Sequence, residues 1–119
     1  MNEIEKIEDF TLLLLLHMAC VDGSLHPNEK DTILERMKGL FPDISALNEK
    51  LTESELQYGK LGYARAEELL RISLPKFSHI DPIKRKEIYA ALFDIINANG
   101  RVNEEETQTL QIFKTWLTS

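Results

Sequence analysis

One cysteine, Cys20, stands among 119 residues, so no disulfide can form within the chain, and a reducing cytoplasm is the expected compartment. Glycine (5) and proline (4) are scarce, which leaves little material for the frequent turns of a β-sandwich and favours helices. No apolar run reaches the ~20 residues that span a bilayer. The longest, Phe10 to Val21, has 12 residues and contains His17. It also makes a poor secretory signal, because Glu3, Glu5, Glu8 and Asp9 precede it against a single Lys6, where a signal needs a basic start. Positive charge is short as well: 14 Lys and Arg face 20 Asp and Glu, a net charge of −6. That balance disfavours nucleic acid and anionic membrane as partners, since phosphate contacts need clustered Lys and Arg.

What is present is ordinary globular material. Hydrophobic residues are 43% and charged residues 29% of the chain, enough apolar surface to build a core and to exclude disorder. The length suits one domain over residues 1–119, and no change of composition marks a linker. Helix signals run from end to end. A first helix is expected from about Glu3 to Asp22, buried on nearly all sides, with Gly23 beyond its end. A second starts at Pro27 and carries Ile33, Leu34, Met37, Leu40 and Phe41 at helical spacing. A short piece from Ile44 to Lys50 follows. Thr52-Glu53-Ser54-Glu55 then reads as a capping box opening another piece. Gly59 and Gly62 interrupt, and a helix from about Lys60 to Phe77 ends or kinks at Pro75. Asp81-Pro82 restarts the chain as N-cap and first-turn proline, with Ile83, Ile88, Ala91, Leu92, Ile95 and Ile96 on one stripe. Asn103 to Glu106 caps a last helix that buries Leu110, Phe113, Trp116 and Leu117. The expected fold is an all-α bundle of six to seven helices.

An internal repeat carries the functional signal. Asp22-Gly23-Ser24-Leu25-His26-Pro27-Asn28-Glu29 aligns at a fixed offset with Asn99-Gly100-Arg101-Val102-Asn103-Glu104-Glu105-Glu106. The flanks match too, with Leu12, Leu15 and Leu16 falling on Tyr89, Leu92 and Phe93. Each copy reads as a buried helix, an acidic or amide residue, a glycine that reverses the chain, one inward apolar residue, and a helix with Glu in its first turn. Two such halves would pack about a pseudo-twofold.

In these residues the chain resembles the TerB-like family of tellurite-resistance and stress-associated helical domains, a fold similar to the N-terminal domain of a membrane-anchored DnaJ-type co-chaperone. The resemblance covers nearly the whole chain, through Ala19 to Glu29 and through Ala90 to Leu117. It implies two similar helix-turn-helix halves, a non-enzymatic stress-response role and an acidic surface that holds a divalent cation such as Ca²⁺. By position it points to Asp22, Glu29 and Glu106 as metal ligands. Asn99 departs from the pattern, where the family commonly has Asp, and this shifts weight to the first half.

Each of these carboxylates also has a structural reading. Asp22 opposes the helix macrodipole at a cost of roughly 0.3–1 kcal/mol, yet its carboxylate suits the amides of Ser24 or Leu25. Glu29 and Glu106 are favoured in first turns by the dipole and by reciprocal capping. A calcium-loop register on Gly23, Leu25 and Glu29 would put Met18 and Cys20 at its first two ligand positions, which supply no hard oxygen. His17 and Cys20, three apart, fall short of the four ligands of a structural zinc site and read as core. His26 and His79 are isolated. Arg71, Lys76, Lys84, Arg85 and Lys86 form the one basic cluster, suited to an acidic partner or to a solvated face. Tyr58 and Tyr63 flank the Gly59/Gly62 stretch, either exposed for binding or filling gaps in the core. No motif assembles a catalytic constellation, so the expected activity is binding, with a metal-independent adaptor for a protein partner as the alternative.

Overall fold

In the computed structural model, the described residues are 4, 6–20, 25–77, 79–98, 108–111 and 113–114. They form α1 (Ile7–Ala19), α2 (Pro27–Leu40), α3 (Leu47–Ser73), a 3-10 turn (Leu74–Phe77) and α4 (Pro82–Asn97). Residues 108–111 and 113–114 are also helical. Among the described residues the architecture is all-α, with fewer helices than the six to seven expected.

Helix α1 is the axis of the core. Ten consecutive residues, Phe10 to Ala19, are buried, and α1 touches α2, α3 and α4. It begins at Ile7 and ends at Ala19, shorter at both ends than the acidic and apolar pattern suggested. Cys20 closes it by donating its backbone N–H to the Leu16 carbonyl at 2.8 Å. Helix α2 presents Ile33, Met37 and Leu40 inward, spaced as one helical face requires. It starts on Pro27 at the first turn and stops at Phe41-Pro42, since proline cannot continue the hydrogen-bond ladder. Lys84 of α4 donates its ammonium to the Leu40 carbonyl at 2.6 Å and sits 5.3 Å from the Phe41 ring centre. A cation there answers the negative end of the α2 dipole.

Helix α3 replaces what the sequence suggests are three pieces. The Ile44–Lys50 piece and the segment opened by Thr52 are one continuous helix, and Thr52 is interior. Its hydroxyl donates to the Asn48 carbonyl four residues back, at 3.0 Å, instead of capping. The N-cap is Ala46, in a left-handed conformation (φ 53°). The interruption falls at Gly62 (φ 79°, ψ 170°), a region open essentially to glycine alone. Gly59, three residues earlier, stays helical. Pro75 lies in the 3-10 turn after α3, where the expected stop occurs.

Asp81 caps α4 as the sequence suggests, its carboxylate accepting the Ile83 backbone N–H at 2.8 Å. Ile88, Ala91, Leu92, Ile95 and Ile96 are buried, but Ile83, read as part of the same stripe, is 68% exposed. Cross-helix ion pairs fasten the rim: Asp9 with Lys50 at 3.4 Å, Lys30 with Glu55 at 3.4 Å, and Arg36 with Asp94 at 2.7 Å. Half exposed, each contributes at most about 1 kcal/mol, so burial along α1 holds the fold. No helix among the described residues is long and apolar enough to cross a membrane.

Candidate functional site

Among the described residues, the largest polar assembly inside the core gathers on His17, which is fully buried in α1. The Tyr58 hydroxyl lies 3.0 Å from its Nδ1, and Glu67 Oε1 lies 3.5 Å from its Nε2. The Tyr63 ring stacks on the imidazole at 4.6 Å between centres. The Tyr63 hydroxyl donates to the same Glu67 oxygen at 3.3 Å and meets Thr109 Oγ1 at 2.7 Å. Arg71 Nη2 stands 3.7 Å from the other Glu67 oxygen.

Hydrogen-bond polarity orders these contacts. A carboxylate only accepts, so Glu67 draws the imidazole N–H to Nε2 and leaves Nδ1 to accept from Tyr58. Tyr63 has one proton and gives it to Glu67, so Thr109 donates to Tyr63. Every member is satisfied by this single arrangement, the condition under which a buried polar network rigidifies its surroundings. Burial pushes the His17 pKa down, and Glu67 opposes that shift through its hydrogen bond and its charge. Burial pushes the Tyr58 phenol well above the usual tyrosine value, with smaller pushes the same way from the neighbouring acidic groups of Cys20, Tyr63 and Glu67. The order Tyr–His–Glu has the form of a relay, but its hydroxyl is held as a proton donor. The network supplies a rigid wall built around a neutral imidazole.

That wall backs an open cleft of about 390 Å³ lined by Leu16, Cys20, Leu25, Glu55, Tyr58, Gly59, Gly62 and Tyr63. Two glycines make its floor wide: a methyl group built at Gly59 or Gly62 would meet nothing within 4 Å. Leu25 packs against the core from the turn between α1 and α2. Tyr63 keeps 41% of its surface exposed at the cleft, and Leu56, earlier in α3, is 64% exposed. A second cleft of about 440 Å³ lies at the α2–α3 connection, among Lys6, Glu8, Asp43 and Lys50, and lacks such an assembly.

The residues singled out as metal ligands fall elsewhere. Glu29 is described, is buried, and accepts the His26 backbone N–H at 3.1 Å, which makes it the reach-back residue of a capping box. Asp22 and Glu106 lie outside the described residues. Among the described residues no group of three or more His, Cys, Asp and Glu side chains is placed to hold one metal ion. His17 is core, as its leucine neighbours suggest, while Cys20 stands at the cleft. The basic cluster is partly spent on structure, with Lys84 on the Leu40 carbonyl and Arg71 beside Glu67. Tyr58 and Tyr63 serve in both senses that the sequence leaves open, lining a surface cleft and filling the space over His17. Glu67 and Thr109 carry no sequence signal of their own. The i, i+4 spacing of Tyr63 and Glu67 on a helix is the only hint. Compared with known proteins, the chain matches no family model, no curated protein and no solved structure.

Proposed function

We propose that this chain is a non-enzymatic binding module that seats an apolar side chain of a partner protein in the cleft between Tyr58 and Tyr63. One observation carries the reading: two glycines hold open a mostly apolar groove against a rigid, hydrogen-bonded wall. Apolar grooves with a few fixed polar groups are what recognition sites are made of. The tyrosines provide stiff, amphipathic contact area of the kind that dominates protein interfaces. TerB-like kinship, two halves about a pseudo-twofold, a cytoplasmic stress-response role and exclusion of nucleic acid belong to the same proposal. They rest on the paired turns at Asp22-Gly23 and Asn99-Gly100 and on the acidic balance of the chain.

A divalent cation on Asp22, Glu29 and Glu106 is the second reading. The observation favouring it is the burial of the Glu29 carboxylate immediately after the acidic turn. Its carboxylate is already engaged in the capping bond to His26, so the docking reading stands first.

Gly59→Gln provides the test. The position is helical and faces open space, so the new side chain is accommodated and fills the groove. Peptides selected by display on the wild-type chain should share an apolar anchor and lose at least tenfold in affinity for Gly59→Gln, about 1.4 kcal/mol. Equal affinity for both chains would remove the cleft from consideration. In a parallel arm, EDTA-treated wild type, Asp22→Asn and Glu29→Gln are unfolded by heat with Ca²⁺, Mg²⁺, Mn²⁺ or Zn²⁺. A cation at a hundred times its Kd stabilises by about 2.7 kcal/mol. Stabilisation of the wild type alone would establish the cation reading.

A further inference from the structure

We propose that the exposed face of α4 is a self-association surface, on which two copies of this chain pair with their α4 helices antiparallel. A twofold contact uses the same patch on both partners, so that patch must be complementary to itself. This face carries a protruding apolar side chain, an open groove to receive one, and adjacent charges of opposite sign.

The protruding side chain is Ile83. Its spacing in the sequence puts it with the inward residues of α4, yet it is 68% exposed in the first turn. It shares a stripe with Glu87, Ala90 and Asp94, the i, i+4, i+7, i+11 spacing of one helical face. Glu87 and Ala90 are exposed as well. Phe93 borders the stripe, 42% exposed and stacked on Tyr89 at 5.0 Å.

The groove lies between α2 and α4 and has a volume of about 320 Å³. Gly39, Leu40, Ala90 and Ala91 supply its apolar lining. A methyl group built at Gly39 would meet nothing within 4 Å, so the space there is open. The Arg36–Asp94 ion pair and the bond from Lys84 to the Leu40 carbonyl tie α2 to α4. They hold the two walls apart at a fixed distance. Such an opening suits one branched apolar side chain between the ridges of two helices.

Charge selects the direction of pairing. Lys86 and Glu87 are neighbours and both exposed. Lys86 makes no hydrogen bond or ion pair among the described residues, and Glu87 has Lys84 of its own helix at 3.5 Å. Lys84 is already committed to the Leu40 carbonyl at 2.6 Å. Parallel pairing would set Lys86 on Lys86 and Glu87 on Glu87, which is repulsive. An antiparallel pair with its axis between positions 86 and 87 sets each Lys86 on the partner's Glu87. Ile83 lies three residues before Lys86, and Ala90 three after Glu87. The same register therefore lays Ile83 on the partner's Ala90, at the groove.

Sedimentation velocity of the full chain tests this, from about 1 µM to about 1 mM, the range of weak to moderate association. The wild type should show a monomer–dimer equilibrium. Ile83→Ser and Lys86→Glu, both at exposed positions, should each raise the dissociation constant at least tenfold. Reversing both charges, in Lys86→Glu/Glu87→Lys, should bring it back to within about threefold of the wild type, as coupled contacts require. Gly59→Gln, altered at the other cleft, should dimerise like the wild type. A chain that is monomeric throughout the range overturns the proposal. So does a dimer that is indifferent to Ile83→Ser, or a double variant no stronger than Lys86→Glu alone. None of these outcomes depends on the docking reading, which the Gly59→Gln selection judges separately.

Discussion

Two glycines three residues apart in α3 have opposite jobs. Gly59 has helical neighbours on both sides, and a methyl group there touches nothing within 4 Å. Glycine inside a helix is about 1 kcal/mol worse than alanine because it has more backbone entropy to lose. Gly59→Ala should therefore stabilise the protein by about that amount. Gly62 is equally uncrowded, but its φ of 79° with ψ of 170° is forbidden to alanine without strain. Gly62→Ala should cost about 1–3 kcal/mol, or straighten α3 and draw Tyr63 and Glu67 off His17. Urea unfolding of the two variants decides the matter. Changes of the same sign would mean that the bend is not where the structure puts it. A Cβ meets nothing within 4 Å at either site, so the contrast isolates the backbone.

For whole helices, the same logic separates true caps from apparent ones. Thr52 and Asp81 both look like N-caps in the sequence, but only Asp81 accepts a backbone N–H at a helix start, from Ile83 at 2.8 Å. Thr52 instead donates to Asn48 within α3. Asp81→Ala should cost about 1 kcal/mol, whereas Thr52→Ala should change stability by less than about 0.5 kcal/mol; thermal unfolding of both reads the difference. A loss at Thr52 equal to that at Asp81 would restore the separate helix that the capping-box spacing suggests. This pair also shows what the sequence could reveal. All-helical class, the buried run in α1, the Pro27 and Asp81-Pro82 starts and the inward faces of α2 and α4 follow from local spacing, which periodicity reads directly. The continuity of α3 from Leu47 up to Gly62 does not, because Thr52 and Gly59 carry breaker signals that packing against α1 overrides. The site was half legible. His17, Tyr58 and Tyr63 attract attention, but Glu67 and Thr109 join them only when α3 and the C-terminal helical residues close over α1. Contacts 46 and 50 residues apart leave no local trace.

Across the whole molecule, one group deep in the longest buried segment couples stability to pH. His17 is fully buried in α1, and desolvation lowers its folded pKa while Glu67 limits the drop. In the unfolded chain the imidazole returns to about 6.5. Between the lowered folded value and about 6.5, the unfolded chain binds a proton that the folded chain does not. Stability therefore rises with pH across that window and is level above it; on acidification it is lost, by at most about 1.4 kcal/mol per pH unit for one proton. The carboxylates add their own loss at lower pH, so the slope must be read against a chain lacking this group. His17→Gln keeps a donor and an acceptor at the position and cannot titrate. Denaturant midpoints from about pH 7.5 to about pH 5 should fall more steeply for the wild type than for His17→Gln, the two curves drawing together as the pH drops. Parallel curves would show that the imidazole accepts its proton as readily folded as unfolded. The imidazole would then be held neutral only above about pH 6.5, and burial in α1 would not preserve the Tyr58–His17–Glu67 polarity in mild acid.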